Sequence, residues 1–258
     1  METDFVKAME INTQATTVEC ELCNDTGWIQ SKKMIREGKE VDMSDTEIDI
    51  VDECPCIEVK RCKKLLESSG IAEAFREKTL NCYVPKSDLQ VIARSMAVDY
   101  IKSFKEIVKT SENSIAFLGQ VGAGKTHLTI AIANSLLKLK VGVVYMQYRE
   151  AITQLKQSIT YEKEFQNILS RYKNAKVLII DDLYKGMLKN GNVNESDINI
   201  MFDLINYRYL KKAPILVSSE YRLKDIIEFD EAVGTRIGEM AKGRIIEFEG
   251  KELNHRMC

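Results

Sequence analysis

Gly119-Gln120-Val121-Gly122-Ala123-Gly124-Lys125-Thr126 is the stretch from which the fold is read. It fits G-x-x-x-x-G-K-[ST], a loop whose backbone N–H groups wrap a polyphosphate. Glycines are needed because the backbone must come close to the phosphates. Before the loop, Ile115-Ala116-Phe117-Leu118 reads as a short buried strand; after it, Leu128, Ile132, Leu136 and Leu139 recur at helical spacing. The loop therefore opens a helix, whose free N–H groups and dipole favour an anion. Lys125 is expected to reach the β- and γ-phosphates of a nucleotide, and the Thr126 hydroxyl to ligate Mg²⁺. A plain Gly-rich turn is the competing reading. It is outweighed by a fully filled motif in a strand–loop–helix setting.

Outward from the loop, strands and helices alternate. That pattern predicts an α/β fold of the P-loop NTPase kind, a parallel sheet covered by helices on both faces. Strands are expected at 115–118, at Val143–Met146, Val177–Ile180 and Ile215–Val217, and at Arg244–Phe248. Ahead of them, Ile92, Met96, Tyr100, Phe104 and Ile107 form one helical stripe that reads as core. A long helix is expected over 149–172, a second from Ser196 to Leu210, and a short one around Leu223, Ile226 and Ile227. The third strand runs straight into Asp181-Asp182, the Walker B pattern. Asp181 is then placed to hold the Mg²⁺ hydration shell and Asp182 to polarise the attacking water. The spacing fits the ATPase class that inserts an extra strand between the two motif strands.

Five of the seven cysteines fall before residue 70. Cys20-Glu-Leu-Cys23 is a C-x-x-C pair, and Cys54-Pro55-Cys56 is a C-x-C pair. Two close pairs separated by about thirty residues can close a tetrahedral zinc site, with the intervening stretch a hairpin or loop. A segment this poor in apolar residues gains most from a metal staple. Scattered reduced cysteines or a redox dithiol remain the alternatives, and Cys62 is a candidate substitute for Cys56. The expected organisation is a small Cys-rich domain over 1–70, a connector over 71–85 and an ATPase domain over 86–258.

At 258 residues with a net charge of −2, the chain can bury a substantial core but carries no global field for nucleic acid. No apolar run approaches membrane-spanning length, and the first residues lack the basic and apolar regions of a signal peptide. The expected location is the cytoplasm, with no membrane contact.

The chain resembles the DnaC/DnaI-type replicative helicase loaders among the AAA+ ATPases. The residues that carry the resemblance are Gly119 through Leu128 with His127-Leu128 after the threonine, Val177 to Leu183, and the connector Gly70-Ile71…Phe75-Arg76…Thr79. The closing Glu247-Phe248-Glu249-Gly250 and the N-terminal cysteine pairs add to it. The resemblance implies an ATPase that binds ATP and Mg²⁺ through Gly119, Gln120, Val121, Gly122, Ala123, Gly124, Lys125, Thr126, His127 and Asp181. It also implies Zn²⁺ on Cys20, Cys23, Cys54 and Cys56. The partners it implies are a replicative DNA helicase, single-stranded DNA and further copies of the chain. Lys125, Asp182 and Arg236 would be catalytic. Arg236, in Gly234-Thr-Arg-Ile237, falls where loaders place an arginine that completes a neighbouring subunit's site, a surface salt bridge being the alternative. Arg256 is a weaker candidate for sensing nucleotide.

One residue departs from the pattern. Strand four ends Ser218-Ser219-Glu220, where related ATPases offer Asn or Thr to orient the water. An ionised Glu220 cannot donate a hydrogen bond and would repel a γ-phosphate, so Ser219 is expected to serve instead. Arg149, Lys156, Lys163, Arg171 and Lys173 are the candidate DNA contacts, with stacking from Tyr148 or Tyr161, but Glu150, Glu162 and Glu164 interrupt them, so a solvated mixed-charge face is the default reading. An IstB-type transposition helper and a nucleotide-gated switch with little hydrolysis are the competing functions.

Overall fold

Short apolar runs bounded by Gly, Pro and Asp become the strands of one sheet. The structure, a computed structural model, describes residues 20–35, 46–54, 56–57, 60, 69–71, 73–186 and 194–250. Cys62, Arg256 and most of the basic stretch after the cysteines lie outside them. The chain divides into two compact units, Met1–Arg61 and Cys62–Cys258.

In the first unit, β1 (Trp28–Ile35) and β2 (Thr46–Glu53) form an antiparallel hairpin in which Trp28 faces Glu53. The turn before it uses Asn24 and Asp25 in the left-handed region, at φ 47° and 63°, which these side chains tolerate best. Lys60 pairs with Asp25 at 2.8 Å.

The second unit opens with α1 (Glu73–Arg76) and α2 (Asp88–Ile107). The P-loop strand β3 (Ile115–Gly119) and its helix α3 (Lys125–Lys138) follow. Next come β4 (Val143–Gln147), α4 (Tyr148–Gln157), α5 (Glu162–Lys173) and β5 (Val177–Leu183). The chain continues through α6 (Glu195–Leu210), β6 (Ile215–Ser219), α7 (Leu223–Phe229), α8 (Glu231–Met240) and β7 (Ile245–Phe248). The five strands run parallel in the order β4-β5-β6-β3-β7. β6 is the extra strand between β3 and β5.

Alternate side chains of each strand enter two cores, one on each face. Ile115 and Phe117 pack with α2 and α3; Ala116 and Leu118 pack towards α4 through α8. Helix α3 is buried almost all round, which its Ile, Ala and Leu content allows.

Three local expectations are corrected. The stripe of α2 is rotated: Ala93, Ala97, Tyr100 and Phe104 are buried, while Ile92 is 53% exposed. The two alanines present the small surface that a helix packing against α3 needs. Leu139, expected on the buried face of α3, is the C-cap and is exposed. The long helix over 149–172 is two helices, because the Ser158 hydroxyl turns back to donate to Leu155 O at 3.0 Å and ends α4. A second helix, α8, follows the short one expected around Leu223 to Ile227, and carries Gly234 and Gly238. Gly234 is there for contact: a Cβ on it would stand 2.6 Å from the Ile227 side chain.

Candidate nucleotide site and cysteine cluster

The loop's glycines are fixed by their surroundings. Gly119 and Gly124 have φ of 90° and 88°. A Cβ on Gly119 would come within 2.4 Å of the Phe248 carbonyl, and one on Gly124 within 2.6 Å of the Tyr83 ring. Lys125, the first residue of α3, folds back to donate to Gly119 O and Gln120 O, both at 2.7 Å. Burial lowers its pKa to about 8, although the carboxylates of Asp182 and Glu220 work against that shift. A buried ammonium held only by carbonyls is well prepared to meet a phosphate.

Thr126 Oγ1 donates to Asp181 Oδ1 at 2.9 Å, so the two residues expected to share Mg²⁺ touch. Asp181 also accepts from the Ser218 hydroxyl at 2.5 Å and the Tyr145 hydroxyl at 2.8 Å. Those two residues lie on β6 and β4, the strands on either side of β5, so the carboxylate is fixed from both sides. Sequence reasoning missed both. Tyr145 reads as an ordinary strand aromatic, and only its register opposite Ile179, two residues before Asp181, marks it.

Between Ile180 and Leu183 the pairing of β5 with β6 shifts register. Asp182, at φ 55°, leaves the ladder there, and its N–H donates to the Ser218 hydroxyl at 2.9 Å. Such bulges re-aim side chains beside active sites. The Asp182 carboxylate is turned to Lys185, whose Nζ stands 2.8 Å from it and 2.8 Å from Glu220 Oε1. Burial alone would lower Lys185, but the two carboxylates outweigh it and raise its pKa. Glu220 does face the cavity, with its charge met by Lys185. Ser219 does not serve: its hydroxyl donates to Leu183 O at 2.7 Å.

These side chains line a cavity of about 590 Å³. Its opposite wall is Phe75, Lys78, Cys82, Tyr83 and Val84, from the segment expected as a connector. Hydrogen bonds hold that wall to the loop. Tyr83 OH donates to Ala123 O at 3.2 Å, Asn134 Nδ2 donates to Phe75 O at 3.0 Å, and His127 Nε2 lies 2.9 Å from Thr79 O. His127, Val121, Gly122 and Gly124 also face the cavity. The whole has room for a nucleotide, with Lys125 and Lys185 on the loop side and the Phe75 and Tyr83 rings with Lys78 on the opposite wall.

Arg236 lies on α8 and does not line this cavity. Its Nε donates to Asn206 Oδ1 at 3.0 Å, and its guanidinium stacks over Phe202 and Tyr209 at 5.1 and 5.5 Å. Of the residues assigned to DNA, Lys156 pairs with Asp197 and Lys173 with Asp203. Tyr148 is buried, so it cannot stack on a base; Tyr161 is exposed.

In the first unit, the sulfurs of Cys20, Cys23, Cys54 and Cys56 all lie within 4.8 Å of one another. Cys20 to Cys54 is 3.7 Å and Cys23 to Cys56 is 3.4 Å. Tetrahedral Zn–S bonds of about 2.3 Å place sulfurs about 3.8 Å apart, so the cluster fits zinc. Among these thiols, burial pushes Cys23 up, but the Gly27 N–H and the neighbouring sulfurs outweigh it and bring it to about 7. Cys54, by contrast, is raised, and Cys56 is pushed up to about 12 by burial and by the other sulfurs.

A parallel sheet of this order, with a glycine-rich phosphate loop on β3 and paired acids at the end of β5, defines a P-loop ATP-binding protein of the AAA+ fold. The chain belongs to the IstB-like ATP binding protein family, whose profile matches residues 82–231. It is 33% identical, over 95% of its length and 88% of the relative's, to the phage-like element PBSX protein XkdC of Bacillus subtilis strain 168. It is 31% identical, over 42% of its length and 41% of the other, to the insertion sequence IS232 putative ATP-binding protein of Bacillus thuringiensis subsp. berliner. Among solved structures, the DnaC helicase loader superposes with a TM-score of 0.58 at 23% identity, over 69% of this chain and 100% of that one. At that identity the likeness speaks for the fold. Among the described residues no helix is long and apolar enough to cross a membrane.

Proposed function

We propose that this chain is a cytoplasmic ATPase that loads a replicative DNA helicase onto single-stranded DNA. The observation that carries the reading is the joining of a DnaC-like ATPase core to a separate four-cysteine unit. Lys125 neutralises the β- and γ-phosphates, Thr126 and Asp181 hold Mg²⁺, and Asp182 orients the attacking water. Bound Mg²⁺ supplies charge neutralisation and fixes the phosphate geometry. Tyr145 and Ser218 keep Asp181 aimed at it. Arg236, outside its own cavity, completes the site of a neighbouring copy, so turnover depends on assembly. Zn²⁺ on Cys20, Cys23, Cys54 and Cys56 staples the first unit, which grips the helicase.

The likeness to an insertion-sequence ATP-binding protein supports a second reading, a helper of DNA transposition. Co-purification separates the two. The full chain is tested against the replicative helicase of its host, beside a chain beginning at Cys62. Capture by the full chain alone supports the loader. Capture by neither sinks it and turns attention to a transposase.

A further inference from the structure

Two acids and one base meet at the phosphate end of the cavity. Lys185 Nζ lies 2.8 Å from Asp182 Oδ2 and 2.8 Å from Glu220 Oε1, and all three residues line the cavity with Lys125 and Thr126. Their side chains are 31%, 30% and 27% exposed, within reach of a ligand. Glu220 follows β6, Asp182 leaves the bulge of β5, and Lys185 sits in the turn after it.

That turn is built at a cost. Asp182 and Tyr184, neither of them glycine, have φ of 55° and 64°. An aspartate tolerates that region, but a bulky tyrosine there is strained. Tyr184 is fully buried, donates to Asp230 Oδ2 at 2.6 Å and packs edge-on against Tyr148 and Phe229. The turn is therefore rigid, and it aims Lys185 at the cavity. The burial and hydrogen bond of Tyr184 hold the turn, while the part-exposed ion pairs of Lys185 with Asp182 and Glu220 add little to stability.

Charge points the same way. Asp182 and Glu220 bring two negative charges to the place where a terminal phosphate would stand. An ammonium has three donors, so Lys185 can give one to a phosphate oxygen and keep another on Asp182. We propose that Lys185 is the residue that distinguishes a nucleoside triphosphate from a diphosphate here. It exchanges its bond to Glu220 for a γ-phosphate oxygen, and Glu220 holds it ready until then. This rests on nucleotide binding at the loop, as proposed above.

The test measures affinity by calorimetry on the full chain with Mg²⁺. The ligands are ADP and the non-hydrolysable analogue of ATP with a methylene between its β and γ phosphorus atoms. Lys185→Met should weaken the triphosphate about tenfold, the worth of one charge-assisted hydrogen bond, and leave ADP within about twofold. Glu220→Gln, which removes the competitor, should tighten the triphosphate and leave ADP unchanged. A purely structural ion pair would shift both ligands together. Equal shifts, or an unchanged ratio in both variants, overturn the proposal. A wild-type chain that binds neither ligand overturns nucleotide binding and the proposal with it.

Discussion

Asp181 shows how much of a site one residue can conceal. Its position at the end of an apolar run is plain in the sequence. The hydroxyls of Ser218 and Tyr145 that hold it are not, because pairing across strands is set by register rather than by local pattern. Removing one such support should loosen the metal. Tyr145→Phe is expected to raise the Mg²⁺ concentration needed for nucleotide binding by about tenfold, read from a titration at fixed nucleotide. An unchanged midpoint would remove Tyr145 from the site. Arg208 is equally hidden. It reads as a surface arginine of α6, yet it is fully buried and donates to the carbonyls of Tyr172, Lys173, Ala175 and Pro214. Burial lowers its pKa to about 10. Arg208→Met strands those buried carbonyls and should cost roughly 3 kcal/mol in urea unfolding. A loss below about 1 kcal/mol would mean that water replaces the guanidinium.

At the scale of elements, the strands were legible because each is a short apolar run closed by a turn residue. The faces of helices were less so. Ile92 looks like core and is exposed, whereas Ala93 and Ala97 look neutral and are buried, because close packing against α3 favours small side chains. Gly234 sits inside α8 where the packing against Ile227 leaves no room for a Cβ. The cysteine hairpin was legible from spacing alone. If zinc fills the cysteine cluster as proposed, the hairpin, with few apolar residues, would depend on it for order. Chelation should release about one zinc per chain and expose four reactive thiols, while the ATPase unit keeps its melting temperature. Thiols that react equally fast before chelation would contradict a metal centre.

At the scale of the molecule, two units share one chain, and their composition fits a division of labour. The sheet of the second unit brings the glycine-rich loop after β3 and Asp181 of β5 to one edge, on strands separated by β6, where α/β folds gather their ligands. The first unit brings a cysteine cluster and a short hairpin. The charge of −2 gives no general attraction to DNA, so the proposed single-strand binding would rest on local basic residues such as Arg149 and Lys163. Under the proposed function, Arg236 on α8, outside its own cavity, would make each copy depend on the next for turnover.

The most direct measurement of the account is helicase loading itself. The helicase is mixed with closed circular single-stranded DNA carrying an annealed strand, with and without this chain and ATP. Strand release should require the chain and ATP, and should fall to background with Arg236→Ala. Release at the same rate without the chain would contradict the account.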